Sequence, residues 1–286
     1  MDIFARIDDA RRECDVLEHP FYQRWSAGEL SAEELDLYAG EYRHAVVALA
    51  RASSDAAAKA GPEHRAGLAR HAAEEHSHIA LWDEFARAAG AAADRDASLA
   101  GAQNRDASLA DAQNRDASLA GAQDRDASLA GAQNRDASLA GAQNRDASLA
   151  DALPETEACA RAWAAGDDLL EHLAVLYAIE ASQPRIAETK LDGLLRRYGY
   201  TPEGPAVEYF RLHATLDVEH ARQARVLIEE LMSSEQARAC EQADRMVERA
   251  EAALRGNWTL LDGVERRFAR HAECGRAGER LHRAIG

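Results

Sequence analysis

Hydrophobic and polar positions recur along this chain with the period of an α-helix, and helix end signals divide it into segments. Ser31-Ala-Glu-Glu34 is a capping box, which predicts a helix that ends near Lys59, before Gly61-Pro62. No run of alternating β-branched residues occurs, so the sequence predicts an all-α bundle of seven or eight helices. The other predicted helices cover residues 62–90, 154–166, 168–198, 202–232 and 233–255.

Residues 95–154 interrupt this pattern with a low-complexity insertion, in which the string RDASLA recurs six times with a period of ten. A ten-residue period turns a helix by about 1000°, which leaves successive leucines roughly 80° apart. Because no fixed apolar face forms, we predict a disordered insertion, with an irregular helix and β-helix coils as the alternatives. Residues 1–94 and 155–286 are then predicted to form a single helical domain.

Charge and cysteine content restrict the classes of partner and the compartment. The formal net charge of −16 would repel nucleic acid and anionic lipid. No stretch approaches the ~18 apolar residues of a membrane span, and the first residues lack the apolar core of a signal peptide. The four cysteines form no CxxC pair, which favours reduced thiols. We therefore predict a cytoplasmic protein without nucleic-acid or membrane partners, and a homodimer is a further hypothesis.

The segment from His213 to His220 carries the sharpest chemical signal. His213, Asp217 and His220 have offsets of 0, +4 and +7, which place their side chains on one stripe of a helix. Two imidazoles and a carboxylate are ligands that suit iron or manganese. A solvated polar stripe is the alternative interpretation of the same pattern.

A second signal lies in the predicted helix before the insertion. Glu75 and His78 are three residues apart and Glu74 and His78 are four apart, so either carboxylate can share a metal with His78. The choice between Glu74 and Glu75 stays open. His71 and His76 are predicted to be exposed or to lie outside the ligand set.

Glu180 is the third candidate ligand, because it interrupts an otherwise apolar helix face. An unpaired buried carboxylate is unfavourable, so this side chain requires a partner. Pro184 lacks the N–H that would bond to the carbonyl of Glu180, which predicts a kink there. The three signals together have the composition of a dinuclear iron site, and a ferritin-like arrangement that uses Glu41 and His44 is an alternative.

Four segments of the chain, residues 17–30, 74–82, 176–187 and 209–220, resemble a known family. They are similar to the haem-oxygenase-like diiron oxidases of the TenA/PqqC superfamily, and in particular to the CADD-type para-aminobenzoate synthases. The resemblance implies a haem-oxygenase-like fold and a site that holds two iron ions, or a manganese–iron pair, and uses O₂ as co-substrate.

The resemblance also implies roles for residues outside the ligand set. These enzymes build para-aminobenzoate, a folate precursor, from one of their own tyrosines, and a lysine supplies the nitrogen. The matching positions are Tyr22 for the consumed tyrosine, Lys190 for the amine donor and Tyr209 for a second pocket tyrosine. Ile179 stands where the family has another tyrosine. Lys190 and Lys59 are the only lysines among the 34 basic residues.

Three other functions remain open. The first is a diiron oxygenase that acts on an external amino acid, fatty acid or amine. The second is a cofactorless oxidase like PqqC, against which the metal-type ligands argue. The third is a non-catalytic interaction protein that uses the repeat as a docking arm.

Overall fold

The computed structural model describes residues 2–116, 151–234 and 239–285, which form helices with no strand among them. The all-α prediction is confirmed. A 3₁₀ turn at Val16–Glu18 lies between the first two α-helices. The helices are α1 (Ile3–Glu13), α2 (Pro20–Ala27), α3 (Ala32–Lys59), α4 (Pro62–Asp116), α5 (Pro154–Ala164), α6 (Leu169–Glu180), α7 (Gln183–Arg196), α8 (Pro205–Ser234) and α9 (Ala239–Ile285).

Local capping interactions fix the helix starts that the sequence predicts. At the start of α3, the Ser31 hydroxyl accepts the Glu34 N–H at 3.2 Å and the Glu34 carboxylate accepts the Ser31 N–H at 2.9 Å. At the start of α6, the Asp168 carboxylate accepts the Glu171 N–H at 3.0 Å. Each bond satisfies a backbone donor that the first turn of a helix leaves free.

The predicted helix over residues 168–198 is broken rather than kinked. It ends at Glu180, and α7 begins at Gln183. Pro184 explains the break, because its ring clashes with the preceding turn and it donates no backbone hydrogen bond. Glu180 consequently occupies the last position of α6, where the chain changes direction.

The first part of the decapeptide repeat differs from the prediction. Helix α4 does not end near Gly90 or at residue 94 but continues through the first two repeats to Asp116. Alanine, leucine, arginine and glutamine favour helix, and the lack of a fixed apolar face opposes packing rather than helix formation. The predictions for residues 117–150 lie outside the described residues.

Helix α6 forms the centre of the bundle and is buried on all sides from Glu171 to Glu180. Helices α3, α8 and α9 surround it, which accounts for its lack of a polar stripe. The apolar side chains of α6 therefore carry Glu180 into the interior. None of the helices in the described ranges is long and apolar enough to cross a membrane.

Candidate metal centre

Side chains with metal-binding atoms converge where α4, α6 and α8 meet. All but His71 are at most 4% exposed, and the His71 side chain is 12% exposed. The converging residues are His71, Glu75 and His78 from α4, Glu180 from α6, and His213, Asp217 and His220 from α8.

The ligand atoms fall into overlapping groups, in each of which every atom lies within 4.8 Å of the others. Two of the groups contain two histidines and one carboxylate, which is the donor set of many non-haem iron oxygenases. Glu75, Asp217 and His220 form a third group that connects these two. The arrangement can therefore hold two adjacent ions. The two histidine-rich groups are His71–Glu180–His220 and Glu75–His78–His213.

The oxygen Oε1 of Glu75 lies at the centre of the cluster. It is 3.2 Å from Nδ1 of His78, 3.7 Å from Nε2 of His71 and 3.7 Å from Nδ1 of His220. A carboxylate at this position can bridge two ions. Glu180 reaches the other side of the cluster, where its Oε1 is 3.0 Å from Nε2 of His71.

Buried atoms without hydrogen-bond partners test whether these residues fit a metal. Buried polar groups in native proteins nearly always have a partner, so a concentration of unpartnered ones requires an explanation. Divalent cations would supply the missing partners, and the residues therefore fit them. The unpartnered atoms of the cluster are His71 Nε2, Glu75 Oε1, His78 Nδ1, Glu180 Oε1 and Oε2, His213 Nε2, Asp217 Oδ1 and His220 Nδ1.

The pKa values of several cluster residues are also shifted far from their usual values by burial and by neighbouring charges. Burial, together with the neighbouring Glu180 and Glu75, raises the pKa of Asp217 well above its usual range. Burial lowers the pKa of His213 to about 4. Burial also opposes protonation of His71, but the Glu180 and Glu75 carboxylates outweigh it and raise the pKa of His71 to about 10. Burial and mutual repulsion therefore disfavour the ionised carboxylates, and a divalent cation would relieve that repulsion.

Two histidines are held so that one nitrogen faces the cluster. Nδ1 of His213 lies 2.7 Å from the carbonyl oxygen of Tyr209, which leaves Nε2 facing the ligands. Nε2 of His220 lies 3.2 Å from the Glu74 carboxylate, which leaves Nδ1 free. Partners of this kind orient metal-binding histidines.

The geometry distinguishes Glu74 from Glu75. The Glu75 side chain is 3% exposed and its oxygen lies among the ligand atoms. The Glu74 side chain is 42% exposed and contacts the outer nitrogen of His220. The arrangement therefore favours Glu75 as a ligand and Glu74 as the residue that orients His220.

Sequence reasoning missed His71, which lies inside the cluster rather than outside the ligand set. The signal was present in the spacing. His71, Glu75 and His78 have the offsets 0, +4 and +7 that are also seen in α8. Two matching stripes, one on each of two packed helices, thus face each other across Glu180. Glu41 and His44 of the ferritin-like alternative belong to none of these groups.

A packed group of aromatic side chains, here called the aromatic chamber, adjoins the cluster and consists of Tyr22, Tyr38, Tyr42, Trp82, Tyr209 and Phe210. Tyr22 lies in it, 1% exposed, and its hydroxyl is 2.8 Å from that of Tyr38. Burial raises the pKa of Tyr22 well above its usual value. This phenol is therefore neutral at physiological pH.

Lys190 projects from α7 into the same chamber and is 1% exposed. Its Nζ lies 4.4 Å from the ring centroid of Tyr42 and 5.2 Å from that of Tyr22. Burial lowers the pKa of Lys190 well below its usual value. Burial therefore favours the neutral amine, which is the nucleophilic form.

Ring contacts connect the chamber to the metal ligands. The Tyr209 ring stacks on His213 with a centroid separation of 3.9 Å. Trp82 lies 4.9 Å from Tyr209 and 4.9 Å from Tyr42. The three residues predicted outside the ligand set, Tyr22, Lys190 and Tyr209, thus line one chamber next to the cluster. Tyr38, Tyr42 and Trp82 had no predicted role.

We expect Lys190→Met to raise the free energy of unfolding of the metal-free protein at neutral pH. Burial in the folded chain disfavours protonation of this amine, whereas the unfolded chain protonates it below about pH 10.4. The stability of the wild type therefore rises with pH in this range, by up to about 1.4 kcal/mol per unit. The difference in free energy of unfolding between Lys190→Met and the wild type is largest near neutral pH and disappears as the pH approaches 10.4.

Urea denaturation between pH 7 and 10 measures this effect. Lys59→Met is the matched control, because Lys59 is exposed at the end of α3. We expect the control to change stability little at any pH. If Lys190→Met increased the free energy of unfolding by the same amount at every pH, this would contradict a lowered pKa of Lys190 in the folded chain.

Comparisons with known proteins agree with the fold and the chemistry of the cluster. The chain is 26% identical to a 4-aminobenzoate synthase of Chlamydia muridarum, over 96% of this chain and 93% of that protein. It is also 26% identical to a 4-aminobenzoate synthase of Nitrosomonas europaea, over 94% and 93% of the two chains.

Solved structures share the architecture at lower identity. A TenA homologue from Pseudomonas syringae pv. tomato superposes with a TM-score of 0.63 at 14% identity, covering 92% of this chain and 91% of that one. A haem-oxygenase-like domain of unknown function from Shewanella denitrificans gives 0.62 at 16% identity, covering 94% of each chain. The predicted haem-oxygenase-like fold is confirmed.

The family comparison covers most of the bundle. A sequence profile for a family described as iron-containing redox enzymes matches residues 37–255. This range includes every residue of the buried cluster. The chain belongs to this family of iron-containing redox enzymes.

Proposed function

We propose that this chain is a diiron oxidase that forms para-aminobenzoate from its own Tyr22, with Lys190 as the amine donor and O₂ as the oxidant. The observation that carries the proposal is the position of a buried lysine beside a buried tyrosine, among aromatic side chains that also contact the ligand cluster. The names of the relatives from Chlamydia muridarum and Nitrosomonas europaea support the same product.

The ligand cluster supports two ions in this proposal. Glu75, His78 and His213 would hold one, and His71, Glu180 and His220 the other, with Asp217 between them. Ferrous ions bound there would supply electrons for the reduction of O₂. The carboxylates offset the positive charge, and the histidines fix the geometry.

The chamber residues orient the organic reactants. The hydrogen bond between the hydroxyls of Tyr22 and Tyr38, in which either oxygen can donate, fixes the position of the phenol. The indole N–H of Trp25 donates to the carbonyl of Lys190 at 3.1 Å, which anchors the amine-bearing turn of α7 against α2. The surrounding rings exclude water, and this burial favours the unprotonated amine.

Tyr209 connects the two parts of the site. Its ring stacks on His213, and its backbone carbonyl contacts Nδ1 of the same histidine. A series of rings leads from Tyr209 toward Tyr22. The Trp82 ring lies 4.9 Å from that of Tyr209, and the Tyr38 ring lies 6.0 Å from that of Trp82. This series bypasses Ile179, which stands where the resembling family has a tyrosine.

The test is an anaerobic Fe(II) titration of the purified chain, followed by exposure to O₂ and mass spectrometry of the protein and the small molecules. We expect two irons per chain, para-aminobenzoate in at most one equivalent, and a mass change that maps to Tyr22 and Lys190. A manganese–iron mixture in the titration determines which metal pair gives the higher yield.

Two results would contradict the proposal in different ways. A chain that binds two irons but remains unmodified after exposure to O₂ would exclude the self-consuming reaction and favour an external amino acid, fatty acid or amine as substrate. A chain that binds no iron in excess Fe(II) would exclude the whole ligand assignment.

A further inference from the structure

A pocket of about 280 Å³ opens at the bundle surface between α4, α6 and α8 and reaches one side of the ligand cluster. His71 and His220 line this pocket. Glu75, His78 and His213 do not line it, and each is at most 3% exposed. The two histidine-rich groups of the cluster therefore differ in access, because the His71 group borders the pocket and the other is enclosed.

The mouth of the pocket is acidic. The side chains of Glu63 and Glu230 line it and are 64% and 63% exposed. Nε2 of His64 lies between them, 3.7 Å from one carboxylate and 3.9 Å from the other. Arg222 also lines the pocket, but its guanidinium binds the Glu219 carboxylate at 2.6 Å, so its charge is offset.

The walls between the mouth and the histidines are apolar. Leu68, Leu173, Leu176 and Leu227 contribute to them. A cleft with charge of one sign and walls of low polarity focuses its field on ions of the opposite sign. At the inner end, Nδ1 of His220 is buried and has no hydrogen-bond partner, and Nε2 of His71 lies 3.0 Å from the Glu180 carboxylate. His220 is only 4% exposed, so its free nitrogen is an interior ligand atom.

We propose that this pocket is the port through which divalent metal ions enter the centre. It delivers ions first to the position formed by His71, Glu180 and His220. The mouth carboxylates attract the hydrated ion, the walls of low polarity focus their field along the passage, and the histidine nitrogens and the Glu180 carboxylate at the inner end replace its water. The inference rests on the proposed metal centre and adds a route and an order of loading.

Gly67 provides a variant that blocks the port without disturbing packing. It lies on α4, is exposed and lines the pocket, and a Cβ added there meets no atom within 4 Å. Gly67→Leu therefore places a side chain in open space inside the pocket. Gly40→Leu is the matched control, because Gly40 is also an exposed helical glycine with open space around its Cβ but lies on α3, outside the pocket.

The measurement is stopped-flow mixing of the metal-depleted full chain with Co(II), whose absorbance reports ligand binding, followed by elemental analysis. We expect Gly67→Leu to lose the fast phase of uptake while its final metal content equals that of the wild type and of Gly40→Leu. Uptake by Gly67→Leu at the wild-type rate would overturn the port.

A charge variant tests the mouth separately. We expect the double variant Glu63→Gln and Glu230→Gln to bind Co(II) on the order of tenfold more slowly at low ionic strength, because it loses electrostatic attraction. The difference from the wild type disappears at about 1 M salt, where the screening length is about 3 Å. Equal rates at low ionic strength would overturn the attracting role of the mouth.

The same experiment separates this inference from the function on which it rests. Failure of the wild-type chain to bind Co(II) would contradict the metal centre itself. Normal binding by the wild type, with rates that neither the glycine variant nor the charge variant changes, would contradict only the port.

Discussion

Tyr22→Phe is expected to abolish para-aminobenzoate formation by the iron-loaded chain when no substrate is added. The substitution removes only the phenolic oxygen and keeps the ring in its buried position, so iron binding is expected to persist. An oxidase that acts on an external molecule would retain its activity, since Tyr22 would then be a packing residue. This single change therefore separates the self-consuming reaction from the external-substrate alternative.

The control is Tyr177→Phe, because Tyr177 is also buried and its hydroxyl contacts Asp8 at 3.3 Å, outside the chamber. Both variants lose one tyrosine hydroxyl contact, which costs about 1 kcal/mol of stability. We expect the control to form product at the wild-type yield. A wild-type chain grown with ring-labelled tyrosine is expected to release labelled product, and unlabelled product would contradict Tyr22 as the source.

The fold was predictable where local interactions determine it. The capping box at Ser31 and the cap at Asp168 lie in the sequence and act within four residues, so the starts of α3 and α6 were predicted correctly. The position of the break at Pro184 was predicted for the same reason. Its size was not, because the packing around α6 and α7, rather than the proline itself, determines how far the chain turns.

The extent of α4 was missed for a different reason. The ten-residue period excludes a continuous apolar face, and on that ground a disordered insertion was predicted, with an irregular helix as one alternative. Helix formation depends on residue propensity as well as on packing, and residues 95–116 are composed largely of helix-favouring residues. Amphipathic periodicity is thus a sufficient signal for a helix in this chain but not a necessary one.

Sequence spacing predicted much of the candidate centre. The offsets of 0, +4 and +7 on α8 predict that His213, Asp217 and His220 share one face of the helix. In the structure all three side chains belong to the ligand cluster. The same offsets on α4 include His71, although His71 was predicted to be exposed or to lie outside the ligand set. The aromatic environment of Lys190 could not be predicted from spacing, because its side chains come from four helices other than α7.

The second large effect is expected at Glu75. We expect Glu75→Gln to lose at least one of two bound irons, because Oε1 of this residue lies within 3.7 Å of nitrogens of His71, His78 and His220. The glutamine has the same shape but lacks the negative charge, and it places an amide donor among groups that need a cation. Iron per chain, measured by elemental analysis after anaerobic loading, reports the loss.

The neighbouring residue provides the matched control. Glu74→Gln removes the same charge one position earlier in the chain, from a side chain that is 42% exposed and contacts only the outer nitrogen of His220 among the cluster residues. Residues that orient a metal-binding histidine typically contribute about 10- to 100-fold to metal affinity. We therefore expect Glu74→Gln to bind two irons at saturation, with one of them bound more weakly in competition with a chelator.

The pair of variants decides which carboxylate bridges the two helical stripes. Charge alone does not distinguish them, since both variants reduce the negative charge of α4 by one. If Glu74→Gln lost an iron and Glu75→Gln kept both, the carboxylate at the centre of the cluster would not be a ligand. The histidine stripes of α4 and α8 would then have to hold the ions with only Glu180 and Asp217 as acidic partners, and the two positions could not share Glu75 as a bridge.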